Sequence, residues 1–467
     1  MEKRIERLFI LIADFLTINF AWLLFFYFKV ESGMFNMLSQ PELILPMFAV
    51  YFYWLIMFIF VGMYRTWFAT SRFDEISTLF KTTFVGIFVI FFIILYDDYI
   101  NSEASSNRFL IMIYWGFLFT SVSAGRLFIR SFQRHLIIKG IGRKNTVIIG
   151  FNKKAHNIHD TIGRYKALGL DVKAYVAVKE TNVGKSYAEV PVVDTFKNID
   201  KVLVEHDIKE VIIALEHHEE DVMLNVIGKC DSRKVSIKIV PDLYEVISGL
   251  AHTNHIYGFP LIEIMPQLMP EWEKKLKRIM DIFVSIIILI LTLPINIVTA
   301  FAIKYESKGP IFFKQDRMGL DEKPINIYKF RSMVNDAEKK TGPIWSMKDD
   351  PRITRVGAFI RRVRIDEIPQ MINVLKGEMS LVGPRPEREY FVNKLSEEIP
   401  LYRRRLTVRP GVTGWAQVKH KYDETMEDVK TKLQYDLFYI ENMSLRMDIK
   451  ILLKTVFVVL FGKGHYE

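Results

Sequence analysis

Reactive residues concentrate in one stretch, Arg361-Arg362-Val363-Arg364-Ile365-Asp366-Glu367-Ile368-Pro369-Gln370. Two adjacent carboxylates, Asp366 and Glu367, stand amid Arg352, Arg355, Arg361, Arg362, Arg364 and Arg385. A carboxylate can hold a divalent metal or attack phosphorus. Guanidinium groups bind phosphate oxygens two at a time. Two blander readings compete. Asp366 suits the N-cap of a helix that tolerates Pro369 in its first turn and stops at Gly377, in which case it only caps. Alternatively the charges form a solvated salt-bridge face. Six arginines against so few carboxylates leave surplus positive charge, which asks for an anionic ligand.

Glycine-proline pairs and basic residues punctuate the chain around this stretch. The strings are Gly309-Pro310-Ile311-Phe312-Phe313-Lys314-Gln315-Asp316-Arg317-Met318-Gly319, Tyr328-Lys329-Phe330-Arg331-Ser332-Met333 and Asp350-Pro351-Arg352-Ile353-Thr354-Arg355-Val356-Gly357. After the carboxylates come Asn373-Val374-Leu375-Lys376-Gly377, Met379-Ser380-Leu381-Val382-Gly383-Pro384-Arg385-Pro386-Glu387 and Arg409-Pro410-Gly411-Val412-Thr413-Gly414-Trp415-Ala416-Gln417-Val418.

The elements that must position these residues begin in lipid. The chain has 467 residues, enough for two to four units at about 150 each. Half its residues are hydrophobic and mean hydropathy is +0.15, which excludes disorder and requires apolar residues to face lipid. Four apolar runs, Leu8–Val30, Ile44–Tyr64, Phe80–Tyr96 and Phe109–Ile129, each approach the ~20 residues of a membrane-crossing helix. Lys3, Arg4, Arg7, Arg65, Arg72, Lys81, Arg126, Arg130, Arg134, Lys139, Arg143 and Lys144 cluster at alternate ends, so both ends of this block belong in the cytoplasm.

A fifth apolar run, Ile282–Ile303, has Lys274, Lys275, Lys277 and Arg278 before it and Lys304, Lys308 and Lys314 after it. A crossing would strand one basic cluster outside. Pro294 near its middle removes a helix hydrogen bond, so a helix over about 279–303 that enters, bends and returns is expected. Met447–Phe461, with Lys450 and Lys454 interleaved, reads as an interfacial helix.

Between the membrane blocks, Asn145–Pro266 reads as a Rossmann-like α/β unit with strands Thr146–Ile149, Val172–Val178, Glu210–Ala214 and Ser236–Val240. The loop after the first strand is Gly150-Phe151-Asn152-Lys153-Lys154-Ala155, which lacks two of the three glycines of a dinucleotide fingerprint. Gly184-Lys185-Ser186 fails as a phosphate loop because Lys179 occupies the first glycine position. The Tyr175 and Lys179 spacing reads as chance, and His156 with His159 lacks a third metal ligand. A net charge of +10, from 63 Lys and Arg against 53 Asp and Glu, fits an anionic membrane face or a phosphate-bearing substrate, and no nucleic acid. The single cysteine, Cys230, excludes a disulfide framework and a multi-cysteine zinc site.

These strings, in this order, resemble the bacterial sugar transferase family of monotopic polyprenyl-phosphate glycosyl-1-phosphate transferases. The resemblance covers roughly 274–467. With the four spans (1–135) and the α/β unit (145–266), the whole looks like the long-form enzymes that initiate exopolysaccharide synthesis. It implies a membrane α plus α/β architecture ending in a mostly helical catalytic domain. It implies transfer of a sugar-1-phosphate from a UDP-sugar to undecaprenyl phosphate, with release of UMP and with Mg²⁺. By the family pattern Asp366 is the nucleophile on the β-phosphorus and a metal ligand. Glu367 assists proton transfer or positioning, and Pro294 is the re-entrant break. Arg361 and Arg385 bind donor phosphates; Lys329, Arg331, Arg352 and Arg355 are counted with that set. Family members often carry Ser-Leu before the dyad, where this chain has Arg364-Ile365, a departure that bears on packing more than on chemistry. The implied setting is the bacterial inner membrane, with soluble domains in the cytoplasm and the first membrane step of exopolysaccharide, capsule or O-antigen synthesis. A homodimer through the middle domain is the one protein partner left open.

Two other classes remain. A membrane-anchored NAD-dependent nucleotide-sugar dehydratase would need the missing glycine fingerprint. A non-enzymatic scaffold of polysaccharide assembly would not need the intact Asp366-Glu367 pair.

Overall fold

The computed structural model describes residues 3–31, 42–64, 72–101, 110–216, 219–232, 235–240, 261–264, 269–334, 350–399, 401–419 and 425–461. Two compact units result: Met1–Met223 with Val235–Ile264, and Leu224–Lys234 with Met265–Glu467. Arg65 and residues 32–41 and 102–109, between the apolar runs, lie outside the described residues.

In the first unit, four helices are long and apolar enough to cross a membrane: α1 (Lys3–Glu31), α2 (Ile44–Val61), α3 (Arg72–Asn101) and α4 (Leu110–Ile138). Aromatic interlocks fix the bundle. Trp54 donates from Nε1 to the Tyr114 hydroxyl at 2.9 Å, and Gly86 gives the Trp54 ring its room. Arg126 and Arg130, counted above as orienting charges, are in fact paired. Arg126 meets Asp14 at 2.6 Å and Glu75 at 3.2 Å, and Arg130 meets Glu75 at 2.7 Å. A cation this deep in an apolar bundle needs a carboxylate beside it.

The four expected strands all form as parallel neighbours, with apolar segments buried in the sheet interior. They are β1 (Lys144–Ile149), β2 (Leu170–Ala177), β5 (Glu210–Ile213) and β6 (Ser236–Ile239). Three unforeseen strands complete a sheet of order β3-β4-β2-β1-β5-β6-β7: β3 (Ser186–Tyr187), β4 (Val190–Thr195) and β7 (Ile262–Ile264). Ligands of doubly wound sheets sit where the strand order reverses, here between the carboxyl ends of β1 and β5. There Asn152 donates to the Ala214 carbonyl at 2.9 Å and caps the next helix by accepting from Ala155 N. Gly150, at φ +109, lies so close to Ala214 O that a Cβ would stand 2.4 Å away. His159 is spent on the Tyr175 hydroxyl, and His156 stacks on Tyr187.

The second unit opens with the helices Glu271–Leu291 and Leu293–Glu306, bent by 61°. The break is at Thr292, two residues before the expected proline. Pro294 therefore does not kink a continuous helix. It sits in the first turn of the second one, where a missing N–H costs nothing. A hairpin follows, β8 (Phe312–Met318) against β9 (Pro324–Phe330), and later a short parallel pair, β10 (Ser380–Val382) and β11 (Gly411–Thr413). The hairpin adds strand to a domain expected to be mostly helical. The helices Met426–Glu441 and Leu445–Phe461 close the unit.

Three polar residues at the base of the bent pair tie it to the domain. Lys277 donates to Asp448 at 2.6 Å and to the Val382 carbonyl at 3.1 Å. Arg278 donates to the carbonyls of Val374 and Leu375 at 2.6 and 2.9 Å. Asp281 accepts from Ser380 Oγ at 2.8 Å and from Leu381 N at 3.1 Å. Asp281 is thus locked inside protein and does not face the lipid headgroups. Beyond it Phe283, Ile290, Leu291, Val298 and Phe301 are exposed, the apolar tip of the bent pair. Lys277→Met would leave Asp448 buried without its cation. We expect a loss of roughly 3–5 kcal/mol, read as a large fall in melting temperature of the purified protein; an unchanged melting curve would remove this tie from the account.

Candidate active site

The chain reaches the dyad through an unusual turn. Arg364 adopts φ +60, a left-handed conformation disfavoured for a side-chain-bearing residue. The 3-10 turn Ile365–Glu367 follows, then the helix Gln370–Lys376, which stops at Gly377 with φ +85. Asp366 is not the helix cap expected from its position. It lies inside the 3-10 turn, Pro369 occupies the N-cap, and no side chain caps there. The left-handed residue inserts an extra turn ahead of the helix, and the carboxylates project from it. The capping reading of Asp366 is therefore removed.

Asn373, wholly buried, locks the dyad helix to β9. It accepts from Tyr328 N at 3.0 Å and donates to the Asn326 carbonyl at 2.6 Å. That lock sets Lys329, on β9, against the dyad. Glu367 Oε1 accepts from Lys329 Nζ at 2.9 Å and from Arg385 Nη2 at 2.6 Å. Burial alone would raise the Glu367 pKa, but the Arg385 and Lys329 charges outweigh it and hold the group well below the usual range. Asp366 behaves oppositely. Burial and the neighbouring Glu367 charge push it up to about 6, against the pull of Lys329, Arg361 and Arg385. It is 8% exposed, and its side chain takes no hydrogen bond from any described residue.

Arg385 is held from behind. Arg405 donates to its carbonyl at 3.0 Å, to Asp436 at 2.8 Å and to the Tyr402 hydroxyl at 2.8 Å. Glu387 pairs with Arg317 at 3.3 Å and Lys432 at 3.1 Å; these cations and Arg405 overcome burial and hold it at about 2. Sequence reasoning passed over Asn373, Arg405, Asp436 and Lys432 as functional residues. The first two lie in or near the quoted strings, but their partners are set only by the fold.

The basic residues grouped in the sequence now separate. Lys329, Arg361 and Arg385 act on the dyad. Arg331 does not: it donates to the carbonyls of Lys308 and Ser307 at 3.0 and 2.8 Å and to Ser307 Oγ. Arg352 is paired with Asp350 at 2.8 Å. Arg355 exposes its side chain, while its backbone N–H goes to Glu306 at 2.8 Å. Arg331 thus holds the end of the bent pair and Arg352 its own loop, contacts other than the phosphate expected of them.

A family model described as bacterial sugar transferase matches residues 272–462, and one described as CoA-binding domain matches 59–241. A UDP-glucose:undecaprenyl-phosphate glucose-1-phosphate transferase of Xanthomonas campestris pv. campestris is 30% identical over 419 residues, covering 89% of this chain and 86% of that one. An undecaprenyl-phosphate galactose phosphotransferase of Salmonella typhimurium is 31% identical over 417 residues, covering 84% and 82%. The chain belongs to the bacterial sugar transferase family.

A third relative is an N-acetylgalactosaminephosphotransferase of Aeromonas hydrophila, 40% identical over 238 residues; that match spans 51% of this chain and 55% of the relative. The four apolar helices and the α/β sheet ahead of the matched domain make this sugar transferase a long-form member. Its membership sets aside the dehydratase and scaffold readings.

Among the described residues no group of three or more His, Cys, Asp or Glu could hold a metal ion. Mg²⁺ does not need one. It commonly takes one or two carboxylates, with substrate phosphates and water completing the octahedron. The unpartnered Asp366 carboxylate fits that mode; Glu367, taken by two cations, does not.

The two carboxylates should respond oppositely to neutralisation. The folded-state pKa of Asp366 is raised from 3.8 to about 6, so the cost of its ionisation builds as pH rises between those values and is complete above about 6. Asp366→Asn should stabilise the transferase at pH 8 by up to roughly 3 kcal/mol, and by less at pH 5, read as a raised melting temperature. Glu367→Gln should destabilise it by roughly 3–5 kcal/mol because Lys329 and Arg385 lose their counter-charge. A destabilised Asp366→Asn would contradict the raised pKa.

Proposed function

We propose that this transferase moves a sugar-1-phosphate from a UDP-sugar to undecaprenyl phosphate, through a covalent phosphosugar on Asp366. The observation that carries this reading is the unequal pair: one carboxylate locked by two cations, its neighbour free. A nucleophile must be ionised and unpaired, and of the two carboxylates it is Asp366 that takes no hydrogen bond from a described residue.

An Asp366 carboxylate oxygen attacks the β-phosphorus of the donor. The bond from that phosphorus to the bridging oxygen breaks, and UMP leaves with the electron pair. A phosphate oxygen of undecaprenyl phosphate then attacks the same phosphorus, and the Asp366 carboxylate departs. Undecaprenyl diphosphosugar forms and the enzyme is regenerated. Arg361 and Arg385 offset the charge on the transferring group. Glu367 serves as a positioning residue: ionised and paired, it aims Lys329 and Arg385 without accepting a proton. Asp366, with the donor diphosphate, would hold Mg²⁺, and the ion would supply further charge neutralisation there.

The membrane arrangement follows from the same chemistry. The acceptor phosphate cannot leave the bilayer cheaply, and the donor cannot enter it. Basic residues at both ends of the bent pair favour a re-entrant hairpin returning to the cytoplasmic face of the inner membrane. The enzyme would there catalyse the first membrane step of exopolysaccharide, capsule or O-antigen synthesis.

Purified protein with Mg²⁺, undecaprenyl phosphate and a panel of UDP-sugars should release UMP from at least one donor. Asp366→Asn should reduce that release by at least about 10³-fold, and mass spectrometry should find a phosphosugar on the peptide containing Asp366; near-normal turnover of the variant would exclude the covalent route. Because the free carboxylate must be ionised, kcat/KM should fall as pH drops below about 6. Arg361→Ala and Arg385→Ala should each cost far more than Arg143→Ala, by roughly 1.5–3 kcal/mol in transition-state stabilisation. Separately, Pro294→Leu should favour a straight crossing. A cysteine at Ser307 in a background lacking Cys230 should be shielded from an impermeant reagent in the parent and partly exposed in the variant. External labelling in the parent would overturn the hairpin.

A further inference from the structure

A second cationic cluster, distinct from the dyad's own cations, joins the short helix Trp415–Lys419 to the last helix. The Nζ atoms of Lys419, Lys450 and Lys454 lie 5.2, 5.6 and 5.3 Å from the ring centroid of Trp415. One indole can favour a cation over its face; it cannot neutralise three. No described residue offers any of the three a carboxylate. The acid on the same helix, Asp448, is buried and taken by Lys277 and by the Tyr439 hydroxyl at 2.8 Å. Three ammonium groups held around one ring without a counterion repel one another. Burial, then Lys419 and Lys450, lower the pKa of Lys454.

The helix Leu445–Phe461 shows which medium the cluster meets. Asp448 and Ile451 are buried in the domain. A second sector, Ile449, Leu453, Val456 and Phe457, is apolar and exposed. A third sector carries Arg446, Lys450 and Lys454, spaced four residues apart and so on one face. A helix with one face in protein, one apolar and one basic lies in the boundary between headgroups and acyl chains. Trp415 is buried in the domain core beneath this face, stacked on Phe438, and the three lysines cover its ring. The anion available at that depth is a lipid phosphate.

We propose that Lys419, Lys450 and Lys454 form, around Trp415, a binding site for the phosphate of a membrane lipid. Two lipids carry that chemistry: the polyprenyl phosphate acceptor and an anionic phospholipid. Only the first of these rests on the function proposed above.

Full-length protein in mild detergent, titrated with each lipid and followed by native mass spectrometry, tests the site without relying on turnover. The variant Lys419→Gln/Lys450→Gln/Lys454→Gln should bind undecaprenyl phosphate, phosphatidylglycerol or both roughly tenfold more weakly, the scale of lost charge-assisted contacts. Binding of phosphatidylcholine should not change. The triple Lys→Arg variant should retain affinity, and the melting curve of neither variant should fall below the parent's, because Lys419 and Lys450 are exposed and the three ammonium groups repel one another. Loss confined to undecaprenyl phosphate identifies the acceptor phosphate, and should appear as a raised acceptor KM with an unchanged KM for the UDP-sugar. Loss confined to phosphatidylglycerol identifies a headgroup anchor, and stands even if no UDP-sugar releases UMP. Unchanged binding of both anionic lipids by a folded glutamine variant overturns the proposal.

Discussion

A helix whose tip is apolar all round must be anchored at its base, or it would drift along the membrane normal and carry the domain with it. Lys277, Arg278 and Asp281 provide that anchor within little more than one helical turn. Each reaches a different part of the catalytic domain: Asp448 on the last helix, the C-terminal carbonyls of the dyad helix, and the backbone of β10. Because all three are buried or half-buried, breaking any contact strands a charge in a poor solvent. The dyad, the β10–β11 pair and the last helix are thus referenced to one rigid rod, and the rod to the bilayer. Arg331 and Glu306 repeat the device at the far end of the bent pair. Arg331 closes on the carbonyls after the second helix, and Glu306 accepts the backbone N–H groups of Arg355 and Val356.

With the frame fixed, the chemistry reduces to an inequality between neighbours. Two carboxylates one residue apart cannot both be ionised at low cost in a buried site. The fold resolves this by giving Lys329 and Arg385 to Glu367. The burial of Asp366 is then only partly offset, which leaves it the charge without a hydrogen-bonded partner that the proposed nucleophile needs. The left-handed Arg364 matters here, because it separates the dyad from the helix behind it. Had Asp366 been the helix cap, its oxygens would have been occupied by backbone N–H groups and its pKa lowered.

Legibility in the sequence followed the length scale of the signal. The four spans and the parallel strands were readable because each is a continuous run whose medium is fixed by composition. The bend was readable as an event but misplaced by two residues, since proline's favoured seat is the first turn of a helix and not its middle. The β8–β9 hairpin escaped because Lys314, Gln315, Asp316 and Arg317 break any apolar alternation along it. At the site, the dyad, Lys329 and Arg385 were visible as residue types. Which arginine acts on the dyad and which serves the frame was not, because Arg331 and Arg385 look alike in sequence and differ only in the partners the fold brings to them.

That sorting changes what the arginine surplus means. Counted along the chain, the six arginines around the dyad look like one phosphate-binding cluster. In space Arg352 is neutralised by Asp350, Arg355 points outward, and the potential at Asp366 comes from Arg361 and Arg385 with Lys329, which is not an arginine at all. A surplus of charge predicts that an anion binds somewhere; it does not locate the site. What locates it is the failure of pairing. Asp366 takes no hydrogen bond from any described residue, and the lysines around Trp415 meet no carboxylate among the described residues. In the reading proposed above, the first would face the water-soluble donor and the second the lipid boundary. An enzyme that joins a nucleotide sugar to a lipid requires uncompensated charge on both sides of that boundary.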